Sequence, residues 1–246
     1  MDTIKICTFN GMDNSINRKG GISNASIVSE LLKDYDLIGT QEFTKKYLDN
    51  VISNLTTYKA YGKYRYGNLL ARIPYNETNS IITNQNVVFS KTYHLPFLAD
   101  NFSDFKTSFV KKSIMPRIAT IVVFKTKTED EICMINTHLD YRVLSIQTRQ
   151  LSALKKLIIQ YSKDYPIILT GDFNMEIDQL ADFISSLSEI IKPVSIEGAS
   201  LTLKNGSLKR VDHIFIPNNY VVEDSGIINS EETSDHNLVF AKIKKK

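Results

Sequence analysis

Tryptophan is absent from this chain, and cysteine is nearly so, with Cys7 and Cys133 the only two among 246 residues. Two such residues make no cysteine-built metal cluster. Each lies inside an apolar, strand-like run, "IKICTF" and "EICMIN", and reads as a small core hydrophobe; a disulfide between them stays open. Proline and glycine are scarce, at 6 and 10, within an otherwise ordinary globular composition. No Pro- or Ser-rich linker, repeat or low-complexity tract interrupts the chain. Residues 1–246 are therefore expected to form a single domain, large enough to bury a sizeable core without staples.

Long uncharged apolar runs are missing too, so no transmembrane span is expected. A strand pattern begins by Ile4, which leaves no room for a signal peptide. A cytoplasmic monomer is the default expectation, although a trimmed secreted form would look the same. A large excess of one charge is also lacking. The net charge is +3, and without the terminal Lys244, Lys245 and Lys246 the body holds 27 basic against 27 acidic residues. Tight non-specific nucleic-acid binding needs clustered Lys and Arg, so the neutral body argues against it without excluding a nuclease.

What is present alternates between strand-like and helix-period stretches. "TIKICTF" and "YDLIG" read as strands, with Ile27, Val28, Leu31 and Leu32 at helical spacing between them behind the candidate caps Ser23 and Asn24. Leu48, Val51, Ile52 and Leu55 predict a second helix. "NVVFS", "RIATIVVFK" and "EICMINT" read as consecutive strands, the last two joined by the turn "TKTED". Leu151, Leu154, Ile158 and Tyr161 predict the clearest helix, with "PIILT" as the strand after it. Leu180, Phe183, Ile184 and Leu187 predict another helix before the strands "RVDHIFI", "YVVED" and "NLVFAKI". The stretch 61–85 is polar and weakly periodic and reads as long loops, of the kind that carry substrate contacts. Strands mixed with covering helices in both halves predict α/β layers around a core.

Polar side chains gather where these strands finish. Asn10 follows "ICTF", and Gln41 with Glu42 follows "LIGT". Asn136, His138 and Asp140 surround the end of "ICMI". Asp172 and Asn174 follow "PIILT", and Asp235 with His236 precedes "NLVFAKI". One Asp in a loop is most simply a turn residue or cap; five strand ends delivering carboxylates, amides and imidazoles suggest a site. Hard oxygen donors without cysteine suit Mg²⁺ with substrate phosphate oxygens. The four scattered histidines, none at helical ligand spacing to another, argue against zinc.

The segments "TFN", "TQE", "NTHLD", "GDFN", "RVDHIF" and "SDHN" stand in the order seen in the endonuclease/exonuclease/phosphatase family, the deoxyribonuclease-I-like superfamily. Each is short, but together they span Asn10 to His236. The resemblance implies a four-layer α/β sandwich, two packed mixed β-sheets flanked by helices. It also implies that Glu42 is the principal Mg²⁺ ligand, with Asn10 and Asp235 on the metal side and Mn²⁺ a possible substitute. Asp172 would activate the attacking water and Asn174 would stabilise the transition state. His138 would contact the phosphate and is a candidate general acid. Asp212 would hydrogen-bond His236 and fix its charge, while His213, next along a strand, should face the other way. Arg117, before a strand, is a candidate phosphate clamp with a surface ion pair as the plain alternative; Asp140 joins it as a candidate substrate contact. His94, in "KTYHLPF", is read as a loop residue without a role.

Abasic-site endonucleases of the family usually carry a Tyr-x-Pro-x-Gly motif where this chain has "NTHLD", and often tryptophans, so that branch is not matched. The stretches between motifs look most similar to the small bacterial hydrolases. The expected activity is Mg²⁺-dependent hydrolysis of a phosphate mono- or diester on a phosphorylated small molecule. The alternatives are a nuclease acting on DNA or RNA and, more remotely, a non-catalytic binding module of the same fold.

Overall fold

The computed structural model describes residues 3–12, 24–67, 76–97, 115–230 and 232–246. Among them the first strands are β1 (Thr3–Asn10), β2 (Leu37–Gln41), β3 (Phe43–Thr44), β4 (Lys59–Tyr61), β5 (Glu77–Thr78) and β6 (Ile81–Thr83). Then come β7 (Asn86–Leu95), β8 (Arg117–Lys125), β9 (Glu131–His138), β10 (Ile167–Asp172) and β11 (Ile191–Pro193). The chain ends with β12 (Leu201–Thr202), β13 (Leu208–Lys209), β14 (Asp212–Pro217), β15 (Tyr220–Ile228) and β16 (Leu238–Lys245). The helices are α1 (Ala25–Leu32), α2 (Lys45–Asn54), α3 (Leu144–Tyr161) and the short α4 (Ala181–Ser185), which a 3₁₀ turn, Ile177–Leu180, precedes. No helix among the described residues is long and apolar enough to cross a membrane.

Twelve of these strands make two six-stranded mixed sheets, in the orders β15-β16-β1-β2-β6-β4 and β11-β14-β10-β9-β8-β7. Each sheet has a parallel pair at its centre, β1 with β2 in one and β9 with β10 in the other, and antiparallel neighbours outside. Strand side chains alternate between faces, and three buried clusters follow from that alternation. Ile4, Ile6 and Leu37 from the first sheet meet Met134, Ile168 and Ile214 from the second, forming the layer between the sheets. Cys7, Phe9 and Ile38 turn outward against Val28 and Leu32 of α1 and Val51 of α2. On the far side, Cys133, Ile135, Leu169 and Phe215 pack under Leu154 and Ile158 of α3 and Phe183 of α4. Helix, sheet, sheet, helix is the α/β sandwich expected from the sequence. Both cysteines are free and buried.

Several local expectations change. The stretch 61–85 is not loop throughout: Ile81–Thr83 forms β6, which pairs with β2 and with β4. Its three-residue apolar core is too short to show periodicity, and only pairing with a neighbour makes it a strand. In α1, Val28 and Leu32 are buried while Ile27 is 43% exposed, so the buried stripe is narrower than the four apolar positions suggested. Asn24 occupies the N-cap of α1 without a capping bond; its side chain donates instead to Glu232 O at 3.3 Å. Ser23, the other candidate cap, lies outside the described residues. His94 belongs to β7, paired opposite Ile118, and not to a loop.

The two sheets approach most tightly at Gly39. A Cβ there would stand 2.5 Å from Thr170 Oγ1 and 2.6 Å from Asn136 Oδ1, both on the opposite sheet. Gly39→Ala is therefore expected to wedge the sheets apart at a cost of about 1–3 kcal/mol, the usual range for overpacking a filled interior. Urea unfolding followed by circular dichroism measures it, and an unchanged midpoint would contradict the close approach.

Candidate active site

Period-two alternation places Asn10, Gln41, Asn136, His138, Asp172 and Asp212 on the faces that carry Ile6, Leu37, Met134, Ile168 and Ile214 into the space between the sheets. Register aligns their ends. Asn10 pairs with Gln41, and Asp172 pairs with both His138 and Asp212. Each of these strands thus runs from apolar to polar as it nears the same end of the sandwich, and the polar ends meet.

Asp172 is the centre of the cluster. Its Oδ2 accepts from Asn10 Nδ2 at 3.0 Å and lies 3.5 Å from His138 Nε2 and 3.8 Å from His236 Nε2. Its Oδ1 accepts the Asn174 backbone N–H at 2.8 Å. Glu42 faces it from the other sheet, with Oε1 3.4 Å from Asn10 Nδ2 and 4.0 Å from His138 Nε2. Asn10 thus offers its NH₂ to both carboxylates, because its own carbonyl oxygen accepts Met12 N–H at 2.8 Å. His236 is held through Nδ1 by Asp212 Oδ2 at 2.8 Å, and through its backbone N–H by Ser234 Oγ at 3.1 Å.

Backbone geometry at these positions is unusual. Glu42 and Asn174 have φ of 59° and 52°, the left-handed region that side chains other than glycine enter at a cost of about 1–3 kcal/mol. Both turn the chain sharply just past a strand end, which brings Glu42 toward Asn10 and the Asn174 N–H onto Asp172. Gly171 is a strand residue and not part of the turn. Its φ is 152°, and a Cβ on it would collide with the Thr137 carbonyl oxygen of β9.

The two imidazoles differ in charge. Burial opposes the charged form of His236, but the carboxylates of Asp212, Asp172 and Asp235 outweigh it and push the imidazolium up to about 10. His138 is held neutral, well below the ordinary histidine range, by burial and then by the Arg117 and Arg65 guanidiniums. Asp172 is pushed up to about 7, first by burial and then by the charge of Asp212, against the pull of His236, Asn10 and the Asn174 N–H.

The remaining expected site residues fall as follows. Asp235 stands beside His236 in the chain and acts on its charge; its carbonyl accepts Thr202 N–H at 3.0 Å. Asn174 spends its NH₂ on Leu139 O at 3.0 Å, which leaves its backbone N–H as the group that holds Asp172. Asp140 accepts the N–H groups of Arg142 and Val143 at 2.8 and 3.0 Å, shaping the entry to α3. That is a turn-forming part for one carboxylate oxygen, and the charge of Asp140 also acts on Arg117. Arg117 is not a surface residue: it is 6% exposed, and its Nε has no hydrogen-bond partner among the described residues. His213 faces the outer core, against Phe173 and Phe215, with Nε2 2.8 Å from Met175 O. Sequence reasoning missed Arg65, a buried residue that ion-pairs with buried Glu77 and adds positive charge near His138. It stands in "KYRYG", where no strand end or motif marks it.

Residues 20–236 match the model of the endonuclease/exonuclease/phosphatase family. The chain belongs to that family. No curated protein matches it, but solved structures do. A family member from Bacteroides vulgatus aligns over 100% of both chains with TM-score 0.79 and 21% identity. A mannosyl-6-phosphatase from Bacteroides thetaiotaomicron aligns over 98% of this chain and 99% of its own, with TM-score 0.77 and 20% identity. ANGEL2, a 2′,3′-cyclic phosphatase, aligns over 98% and 95% with TM-score 0.74 and 15% identity. At these identities the likeness is one of fold; the family places the chain among hydrolases of phosphate esters.

The donor set fits the divalent cation that this family uses. Asp172, Asp212 and His236 offer ligand atoms within 4.8 Å of one another. Two of those residues are already joined, however, since Asp212 Oδ2 holds His236 Nδ1 at 2.8 Å. Glu42, a carboxylate held only at 3.4 Å by Asn10, is the more available hard oxygen donor. The charge of His236 is directly measurable. In Asp212→Asn its imidazolium should titrate several pH units below the value of about 10 expected in the native protein, as followed by ¹H–¹⁵N NMR of the ring; an unmoved titration would sink the Asp212 assignment.

Proposed function

We propose that this protein hydrolyses phosphate esters with a divalent cation, Mg²⁺ by the chemistry of the donors, using Asp172 as the base for an attacking water. The observation that carries this reading is the position of the Asp172 carboxylate, between the Asn10 amide at 3.0 Å and the His236 imidazolium at 3.8 Å, with Glu42 facing it. A carboxylate pushed up to about 7 is a stronger base than an ordinary one, and about half of it is ionised at neutral pH. Asn10 and the Asn174 N–H fix both its oxygens, so one lone pair stays aimed at the water.

As the water attacks phosphorus, its proton passes to Asp172, the opposite P–O ester bond breaks, and the leaving oxygen takes a proton from solvent water. His236 stays charged because Asp212 holds Nδ1, and its Nε2–H supports the negative charge growing on a non-bridging oxygen. His138, held neutral by burial and then by Arg117 and Arg65, serves as a hydrogen-bond donor from Nε2 rather than as the general acid. Arg117, a buried guanidinium with its Nε unsatisfied, is the natural clamp for a phosphate oxygen. A cation on Glu42 would add positive charge at the phosphate oxygens. The family neighbours that act on a sugar phosphate and on a cyclic phosphate make small phosphorylated molecules the first substrates to test.

Phosphate release should be seen across a panel of sugar phosphates, inositol phosphates and nucleotides with Mg²⁺. It should vanish in EDTA and fall at least ~10³-fold in Asp172→Ala. Activity that survives EDTA would defeat the mechanism. Cleavage of plasmid or RNA instead of small esters, lost in Glu42→Ala, would favour the nuclease reading. The pH dependence has a defined sign. The rate should rise as Asp172 loses its proton through about 7 and fall as His236 loses its own through about 10. A bound cation, favouring the carboxylate, moves the lower limb toward acid.

A further inference from the structure

One residue layer beneath the reacting groups, the sandwich holds a second polar set that the chemistry above does not use. It consists of Thr8, Gln41, Asn136 and Thr170. Thr8, Asn136 and Thr170 lie two residues before Asn10, His138 and Asp172 on their strands, and Gln41 directly precedes Glu42. Asn136 is its hub, fully buried between the sheets. Its Oδ1 accepts from Gln41 Nε2 at 2.7 Å and from Thr170 Oγ1 at 3.1 Å. Its Nδ2 donates to Thr40 O and Ser80 O, both at 2.9 Å. Gln41 Nε2 also reaches Thr8 Oγ1 at 3.0 Å. Three of the four Asn136 bonds cross to the β2 side, and the fourth stays with β10.

The two halves of the candidate site come from opposite sheets. Asn10 ends β1 and Glu42 follows β2, while His138, Asp172 and Asp212 come from β9, β10 and β14. Apolar packing alone does not decide which polar groups stand opposite one another across two sheets, because dispersion contacts are non-directional. A carboxamide with every donor and acceptor used does, since displacement would strand buried polar groups at about 1–3 kcal/mol each. We infer that Asn136 is a positioning residue that sets the distance between the Glu42 half-site and the Asp172 half-site by bridging the sheets directly beneath them.

This inference rests on the phosphoesterase reading for its kinetic consequence only; the bridge itself can be measured without activity. The variants are Asn136→Ala, Thr170→Val and Gln41→Met, with Met134→Ala as a comparator from the apolar layer two residues earlier. Circular dichroism and urea unfolding establish that each is folded and how much stability it has lost. In folded Asn136→Ala, kcat should fall about 10²-fold with KM within about threefold, the pattern of misplaced reacting groups. Met134→Ala should lose comparable stability yet keep kcat within about twofold. Thr170→Val should lower kcat about tenfold, and adding it to Asn136→Ala should cost little more, since both cut the same bond. If Asn136→Ala does not fold, Thr170→Val and Gln41→Met carry the comparison.

The activity-free arm is a crystal structure of the variants. The 3.0 Å contact of Asn10 Nδ2 with Asp172 Oδ2 should lengthen by half an ångström or more, as an order-of-magnitude expectation for a lost constraint, in the bridge variants but not in Met134→Ala. An unchanged contact, or a kcat loss equal to that of Met134→Ala, would overturn the inference. A wild-type protein with no phosphoesterase activity would defeat the functional reading alone, leaving this distance to decide the bridge.

Discussion

The Asn136 carboxamide is satisfied four times over between two sheets, and the rest of the structure is arranged around that fact. Polar groups buried without partners cost several kcal/mol in a medium that cannot hydrogen-bond them. A polar layer inside a sandwich is therefore tolerable in few registers, and here the register is the one that brings Gly39 against Asn136 and Thr170. A methyl group at Gly39 would hold the sheets too far apart for the bonds. The absence of that one carbon and the presence of the amide are two sides of the same constraint.

Above this layer the same logic becomes electrostatic. Two buried histidines stand near one aspartate, yet their neighbours send them to opposite charge states. Asp212 supplies negative charge to His236, whereas Arg117 and Arg65 supply positive charge to His138. Groups of one chemical type take different parts because their surroundings separate their proton affinities. Arg65 is ion-paired with Glu77, while Arg117 Nε has no hydrogen-bond partner among the described residues. The strained backbones of Glu42 and Asn174 are found at this same place, where the surrounding strands over-determine them.

Much of this was legible in the residues. The apolar runs "KICTFN", "ICMINTH" and "IILTGD" each finish on polar residues, which puts Asn10, His138 and Asp172 at strand ends, whichever strands prove to be neighbours. Less legible were features that depend on a distant partner. Ile81–Thr83 becomes a strand only beside β2, and Arg65 is buried only because Glu77 and Met115 meet it. Asp140 shares a segment with His138 as a candidate substrate contact, and its bonds to Arg142 and Val143 add a turn-forming part. Types and spacing do not distinguish those two uses of a carboxylate.

The sequence by itself determined the family, the layered α/β architecture and which side chains share a face of each strand, because a side-chain period of two is a local property of the backbone. Only the tertiary structure decided which histidine carries the proton and which amide bridges the sheets, and it assigned the turns and the buried arginines their roles. Those outcomes depend on distances of a few ångströms between segments far apart in the chain, 162 residues in the case of Asn10 and Asp172. Charge interactions and hydrogen bonds of that kind have no local signature to read.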